Sequence, residues 1–135
     1  MERVTVRSEV LEQIARHAKA DRPNECCGLL LGTSTRVDQA IPARNARASR
    51  TRFLVAPEDH FAAIRQARSS AQEVVGAYHS HPSSPPVPSE TDLAEANDPG
   101  LIHLIVSLAS ERQPEIRAFR LSERNFQPLE LVSDG

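Results

Sequence analysis

His79 and His81 stand two residues apart at the end of the apolar run Glu73-Val74-Val75-Gly76-Ala77-Tyr78, and Asp92 follows eleven residues after His81. If the run is a strand its side chains alternate, so both imidazoles face one side and Ser80 faces the other. Two imidazoles and one carboxylate suit Zn²⁺, and three protein ligands leave the fourth tetrahedral position to water, as in catalytic rather than structural zinc sites. Such an ion brings the pKa of its water to about 7 and polarises a substrate carbonyl at the same centre. The same residues also have purely structural uses. Ser89-x-x-Asp92 has the form of a capping box, and an aspartate in a first helical turn is favoured by the macrodipole without any metal.

Hydrolysis at such a centre needs a carboxylate to carry the proton. Spacing alone does not choose among Glu25, Glu73, Glu90 and Asp98. Cys26 and Cys27 are adjacent, too close for an ordinary disulfide and short of a four-cysteine zinc pattern. They face opposite sides of a strand and are expected to be free, packed thiols. His103 lies inside an apolar run and reads as a satisfied core or edge histidine, while His17 and His60 read as helix-surface residues. The Arg44, Arg47, Arg50 and Arg52 loop reads as solvated.

The elements that must hold these groups can be read from periodicity. Val10, Leu11, Ile14, Ala15 and Ala18 recur at helical spacing and predict a helix from Ser8, as N-cap, to about Ala20, stopped by Arg22-Pro23. Cys27 to Leu31 predicts a buried strand, with Arg36 to Ala43 returning beside it as a hairpin. A short Phe53-Leu54-Val55 strand is expected next, then a helix from Pro57 to about Ser70 with Glu58 and Asp59 in its first turn. Glu73 to Tyr78 is the strand that delivers the histidines. The loop carrying Pro82, Pro85, Pro86 and Pro88 leads into a short helix from Ser89 to about Asn97. Strands at Leu101 to Leu108, Glu115 to Leu121 and Gln127 to Val132 complete an α/β order, predicting a mixed central sheet flanked by helices.

With 135 residues and no linker or internal repeat, residues 1–135 are expected to form one domain. A net charge of −2, four Phe, one Tyr and no Trp give neither the basic footprint nor the stacking surface of a nucleic-acid binder. Neither a membrane-span pattern nor an apolar signal-peptide core is found, and the chain is read as cytoplasmic.

The run His79-Ser80-His81-Pro82 with Ser89 and Asp92 reads H-S-H-x(7)-S-x-x-D and resembles the metal signature of the JAMM (MPN+, Mov34/PAD-1) metallopeptidase family. Glu25, opening Glu25-Cys26-Cys27-Gly28-Leu29-Leu30-Leu31-Gly32, resembles the family's upstream acidic residue, and the likeness covers nearly the whole chain. The resemblance implies one catalytic Zn²⁺ per chain held by His79, His81 and Asp92, with Glu25 as acid/base and Ser89 as oxyanion donor. It implies a mixed sheet similar to that of cytidine deaminases. It also implies, as partner, a ubiquitin-like or sulfur-carrier protein cut after its C-terminal Gly-Gly; homodimerisation is left open. The alternatives carried beside it are a non-catalytic MPN-type binding scaffold and a DNA-repair-associated relative of the RadC type. Deaminase chemistry lacks its Pro-Cys-x-x-Cys ligand segment here.

Overall fold

A computed structural model describes residues 1–96, 98–110, 112–123 and 125–135. The elements run β1 (Arg3–Arg7), α1 (Ser8–Asp21), β2 (Cys27–Thr33), β3 (Arg36–Ala43), α2 (Pro57–Ser69), β4 (Glu73–His81), α3 (Glu90–Glu95), β5 (Ile102–Ser107), β6 (Glu115–Ser122) and β7 (Asn125–Asp134). The mixed sheet and flanking helices match the expected architecture. Asn97, where the third helix was expected to end, lies outside the described residues; α3 closes at Glu95.

One strand was not foreseen and two local expectations are corrected. Arg3-Val4-Thr5-Val6-Arg7 is a strand, its two valines fully buried and its arginines exposed. The N-cap of α1 is Arg7, with Ser8 already helical and no side chain capping the end. Phe53-Leu54-Val55 is not a strand: an isolated bridge joins Val55 to Asn45, and the Asn45 side chain takes the Arg52 carbonyl and the Leu54 N–H that a ladder would use.

The strand order is β1-β3-β2-β4-β5-β6-β7, and β1 pairs in parallel with both β3 and β7, so the sheet closes on itself. Val10, Ile14 and Ala18 of α1 share one core with Val4, Leu30, Val37, Tyr78, Leu104 and Val106. Alternate residues of the same strands face the other way, where α2 packs its buried Ala63 and Ala67 across β2, β3 and β4. A bulge shifts the β2–β4 register between Leu30 and Leu31. Val74 and Ala77 therefore both line the α2-side groove while Val75 and Tyr78 both belong to the core.

Gly28 is required by close approach. A Cβ there would lie 2.2 Å from the ring of Tyr78 and 2.6 Å from the Ile41 carbonyl oxygen. Tyr78, fully buried, shares a 2.7 Å hydrogen bond with His17 Nδ1. His17 Nε2 faces Asp21 at 3.4 Å, so Nε2–H serves the carboxylate and Nδ1 accepts from the tyrosine hydroxyl. His17 is thus a half-buried tie between α1 and β4 and not a surface residue.

Candidate metal centre

β4 carries His79 and His81 to one face, and Ser80 on the other accepts a 2.8 Å hydrogen bond from the Cys26 N–H. β2 runs antiparallel beside it with Cys27 opposite His79, and Ser80 N–H donates to the Cys26 carbonyl at 3.1 Å. Continuing that register sets Glu25, just ahead of β2, opposite His81. Asp92 arrives from the other direction in the first turn of α3. Ser89 Oγ accepts from Asp92 N–H at 3.0 Å, and Ser89 N–H donates to Asp92 Oδ2 at 2.9 Å, a reciprocal cap that fixes the aspartate's rotamer.

Three atoms converge. His79 Nε2 lies 3.1 Å and His81 Nε2 3.0 Å from Asp92 Oδ2, and the two nitrogens are 3.2 Å apart. All three side chains are buried. His81 Nδ1–H donates to the Pro85 carbonyl at 2.8 Å, so Nε2 is the nitrogen left for a metal once the proton it shares with Asp92 in the metal-free chain is lost. Two imidazole nitrogens and a carboxylate oxygen aimed at one buried point form a donor set for a cation. Tetrahedral zinc with bonds of about 2.0–2.1 Å holds its ligands about 3.3 Å apart, close to the spacing here. His79, His81 and Asp92 therefore fit a zinc ion.

Electrostatics separates the roles. Burial lowers the pKa of His79 and outweighs its hydrogen bond to Asp92. Burial also pulls on His81, but the Asp92 and Pro85 hydrogen bonds and the Asp92 charge outweigh it, and His81 is raised. Burial acts against ionised Asp92, yet the hydrogen bonds from both imidazoles hold it well below the usual carboxylate range. Glu25 is different: it is 3% exposed and its Oε1 has no hydrogen-bond partner. Burial, then the charges of Asp92 and Glu95, push its carboxyl up to about 8, with His81 opposing.

His79 and Asp92 also line a groove of ≈ 640 Å³ together with Leu29, Phe53, Ala77, Glu95, His103 and Phe126. His103 is not the satisfied histidine expected from sequence. It faces this groove with Nε2 unpartnered, and burial lowers it to about 4.

The other carboxylates stay apart from the three ligand atoms. Glu73 lies at the far end of β4, opposite Gly32, Glu90 is exposed, and Asp98, also exposed, lines the groove without joining the ligand cluster. Cys26 and Cys27 are free and buried, and burial lifts their thiols to about 11 and about 12. The arginine loop is tied down more than a solvated loop would be. Arg44 pairs with Glu58 at 2.7 Å and Asp59 at 3.1 Å, and Arg47 reaches Glu95 of α3 at 2.6 Å.

One contact escaped sequence reasoning: the ring of Phe53 stacks on His79, centroids 4.5 Å apart and planes 18° from parallel. The only signal was an aromatic opening the apolar Phe53-Leu54-Val55 run just ahead of a helix start.

The family model described as prokaryotic homologs of the JAB domain matches residues 7–122. A protein of Haloferax volcanii named desampylase is 38% identical over 104 residues, covering 75% of this chain and 75% of that protein. A Mycobacterium tuberculosis protein named CysO-cysteine peptidase is 29% identical over 120 residues, covering 87% of this chain and 82% of that one. The solved structure of a JAB1/MPN domain protein from Archaeoglobus fulgidus superposes with a TM-score of 0.59 at 26% identity, covering 97% of each chain.

Proposed function

The chain belongs to the prokaryotic homologs of the JAB domain, hydrolases of the JAMM type, and on that premise we propose that it is a zinc-dependent peptidase or isopeptidase. Its substrate is a ubiquitin-like or sulfur-carrier protein, hydrolysed at the amide bond after a C-terminal Gly-Gly. The observation that carries this reading is the convergence of His79 Nε2, His81 Nε2 and Asp92 Oδ2 within 3.0–3.2 Å, beside a buried carboxyl with an unpartnered oxygen. The names of the desampylase and CysO-cysteine peptidase relatives support the substrate class. Residues 1–135 act as one catalytic domain with one zinc ion, in the cytoplasm. Among the described residues no helix is long and apolar enough to cross a membrane.

In this mechanism His79, His81 and Asp92 would hold the ion, which would supply Lewis acidity toward water and the substrate carbonyl. Glu25 takes a proton from the attacking water and returns it to the leaving amine nitrogen. In the metal-free chain burial raises that carboxyl, and a dication held beside it would oppose the rise and favour the ionised form that accepts the proton. Ser89 Oγ accepts from Asp92 N–H and keeps its own O–H free to donate to the oxyanion of the tetrahedral intermediate. The groove leading from His79 accepts the extended tail, and glycines let a main chain pass where side chains would collide.

The test is incubation of the zinc-loaded chain with the ubiquitin-like and sulfur-carrier proteins of its own genome, each carrying a C-terminal extension. Intact-mass spectrometry is expected to show one carrier released with Gly-Gly as its new C-terminus, and a chelator is expected to stop the reaction. A zinc-loaded chain that cuts none of them, or cuts only elsewhere, contradicts the proposal.

A further inference from the structure

The two histidines of the centre are held by different means. His81 has its second nitrogen on the Pro85 carbonyl at 2.8 Å. His79 Nδ1 is buried without any hydrogen-bond partner. Metal-binding histidines nearly always use that second nitrogen to fix ring orientation and tautomer, because the sp³–sp² torsion of an imidazole is otherwise broad. What His79 has instead is the face of Phe53, 4.5 Å away and 18° from parallel.

We propose that Phe53 is a positioning residue of the metal centre: its ring sets the plane of His79 and so aims Nε2 at the point shared with His81 and Asp92. This rests on the metal-dependent reading given above. The ring can do so because its backbone is pinned on both sides. Asn45 Oδ1 accepts from the N–H groups of Arg47 and Leu54, and Asn45 Nδ2 donates to the carbonyls of Arg52 and Glu25, all at 3.0 Å. Arg52 and Leu54, the neighbours of Phe53, are thereby both bonded to one side chain. A 2.8 Å backbone bond from Ala46 N–H to the Leu54 carbonyl closes the same loop, and Arg47 anchors it to α3 through Glu95 at 2.6 Å. The stacked face restrains rotation of the His79 ring from the side where Nδ1 has no hydrogen bond to do so.

The comparison uses Phe53→Leu, which keeps an apolar side chain without a planar face, and Phe53→Tyr, which keeps the face. Zinc affinity is read by competition with a fluorescent chelator, and the His79 ring-proton shifts are read by NMR in the metal-free chain. We expect Phe53→Leu to bind zinc about 10- to 100-fold more weakly and to lose the ring-current shift of His79, with Phe53→Tyr restoring both. If Phe53→Leu fails to fold, Asn45→Ala, which frees the loop while leaving the ring, is expected to move both readouts in the same direction. Unchanged His79 shifts, zinc binding by Phe53→Leu equal to wild type, or no rescue by Phe53→Tyr would overturn the proposal. A wild-type chain that binds no zinc would defeat the functional reading instead, and the ring shifts of the metal-free chain would still decide the role of Phe53.

Discussion

Glu25 brings a buried carboxyl to the site, and its titration makes a stability prediction. Unfolded, it titrates near 4.5; folded and metal-free, burial, then the charges of Asp92 and Glu95, raise it to about 8. Between those values the folded chain keeps a proton that the unfolded chain has released. The stability this contributes is therefore whole below about pH 4.5 and is lost as pH rises through 8. Glu25→Gln cannot ionise, so it should stabilise the metal-free chain at pH 8 by on the order of a few kcal/mol and leave it unchanged near pH 4.5. Urea unfolding at the two pH values checks this, and equal effects at both would mean the carboxyl is solvated. Cys26 and Cys27 are fully buried with pKa values pushed up to about 11 and about 12. Iodoacetamide on the folded protein should accordingly leave turnover intact while a chelator removes it; inactivation without metal loss would implicate a thiol. That His79 and His81 share a face and that Asp92 sits in a capped first turn was legible because that geometry is local; that the three belong to one site came through the family resemblance. Glu25 was not legible from spacing and came only through family resemblance, because cross-strand register between β2 and β4 places it. Phe53 was missed because its stack arises in an irregular loop with no period to read.

At the scale of elements, α3 is six residues long and depends on its cap. The Ser89–Asp92 exchange both starts the helix and orients the carboxylate of the candidate metal centre, so the capping-box and catalytic readings of that motif are compatible. Ser89→Ala should cost about 1 kcal/mol of stability as a lost cap. If the hydroxyl also serves the oxyanion, turnover at matched zinc occupancy should fall about 10²- to 10³-fold. Ser89→Ala with wild-type turnover at equal zinc would leave Ser89 as a cap alone. Helices α1 and α2 and strands β3 and β4 were readable because apolar periodicity, Pro57 and the flanking turns agree. β1 was overlooked although Val4 and Val6 alternate with polar residues, since five residues at a terminus carry too short a pattern to separate from a tail. Phe53-Leu54-Val55 misled for the opposite reason: its residues have strand propensity, but the Asn45 hydrogen bonds hold the segment as a loop instead.

The whole molecule ties its ends together to hold the site. β1 bridges β3 and β7, closing a sheet in whose middle β4 carries the histidines and β2 follows directly on Glu25. A mixed sheet was legible from element order; its closure was not, because it depends on pairing between residues 3–7 and 130–134. The β2–β4 seam is where this scaffold has no slack: a methyl on Gly28 would meet the Tyr78 ring at 2.2 Å. Gly28→Ala should destabilise the fold by about 1–3 kcal/mol through overpacking, seen as a lower urea midpoint; an unchanged midpoint would show that Tyr78 yields easily. The central claim, that a buried carboxyl moves the proton beside a three-ligand metal centre, meets its most direct test in Glu25→Gln assayed at matched zinc occupancy on the carrier that the wild type cuts. The account predicts full zinc binding, a native fold and turnover lowered about 10²- to 10⁴-fold, and near wild-type turnover in the zinc-loaded variant would contradict it.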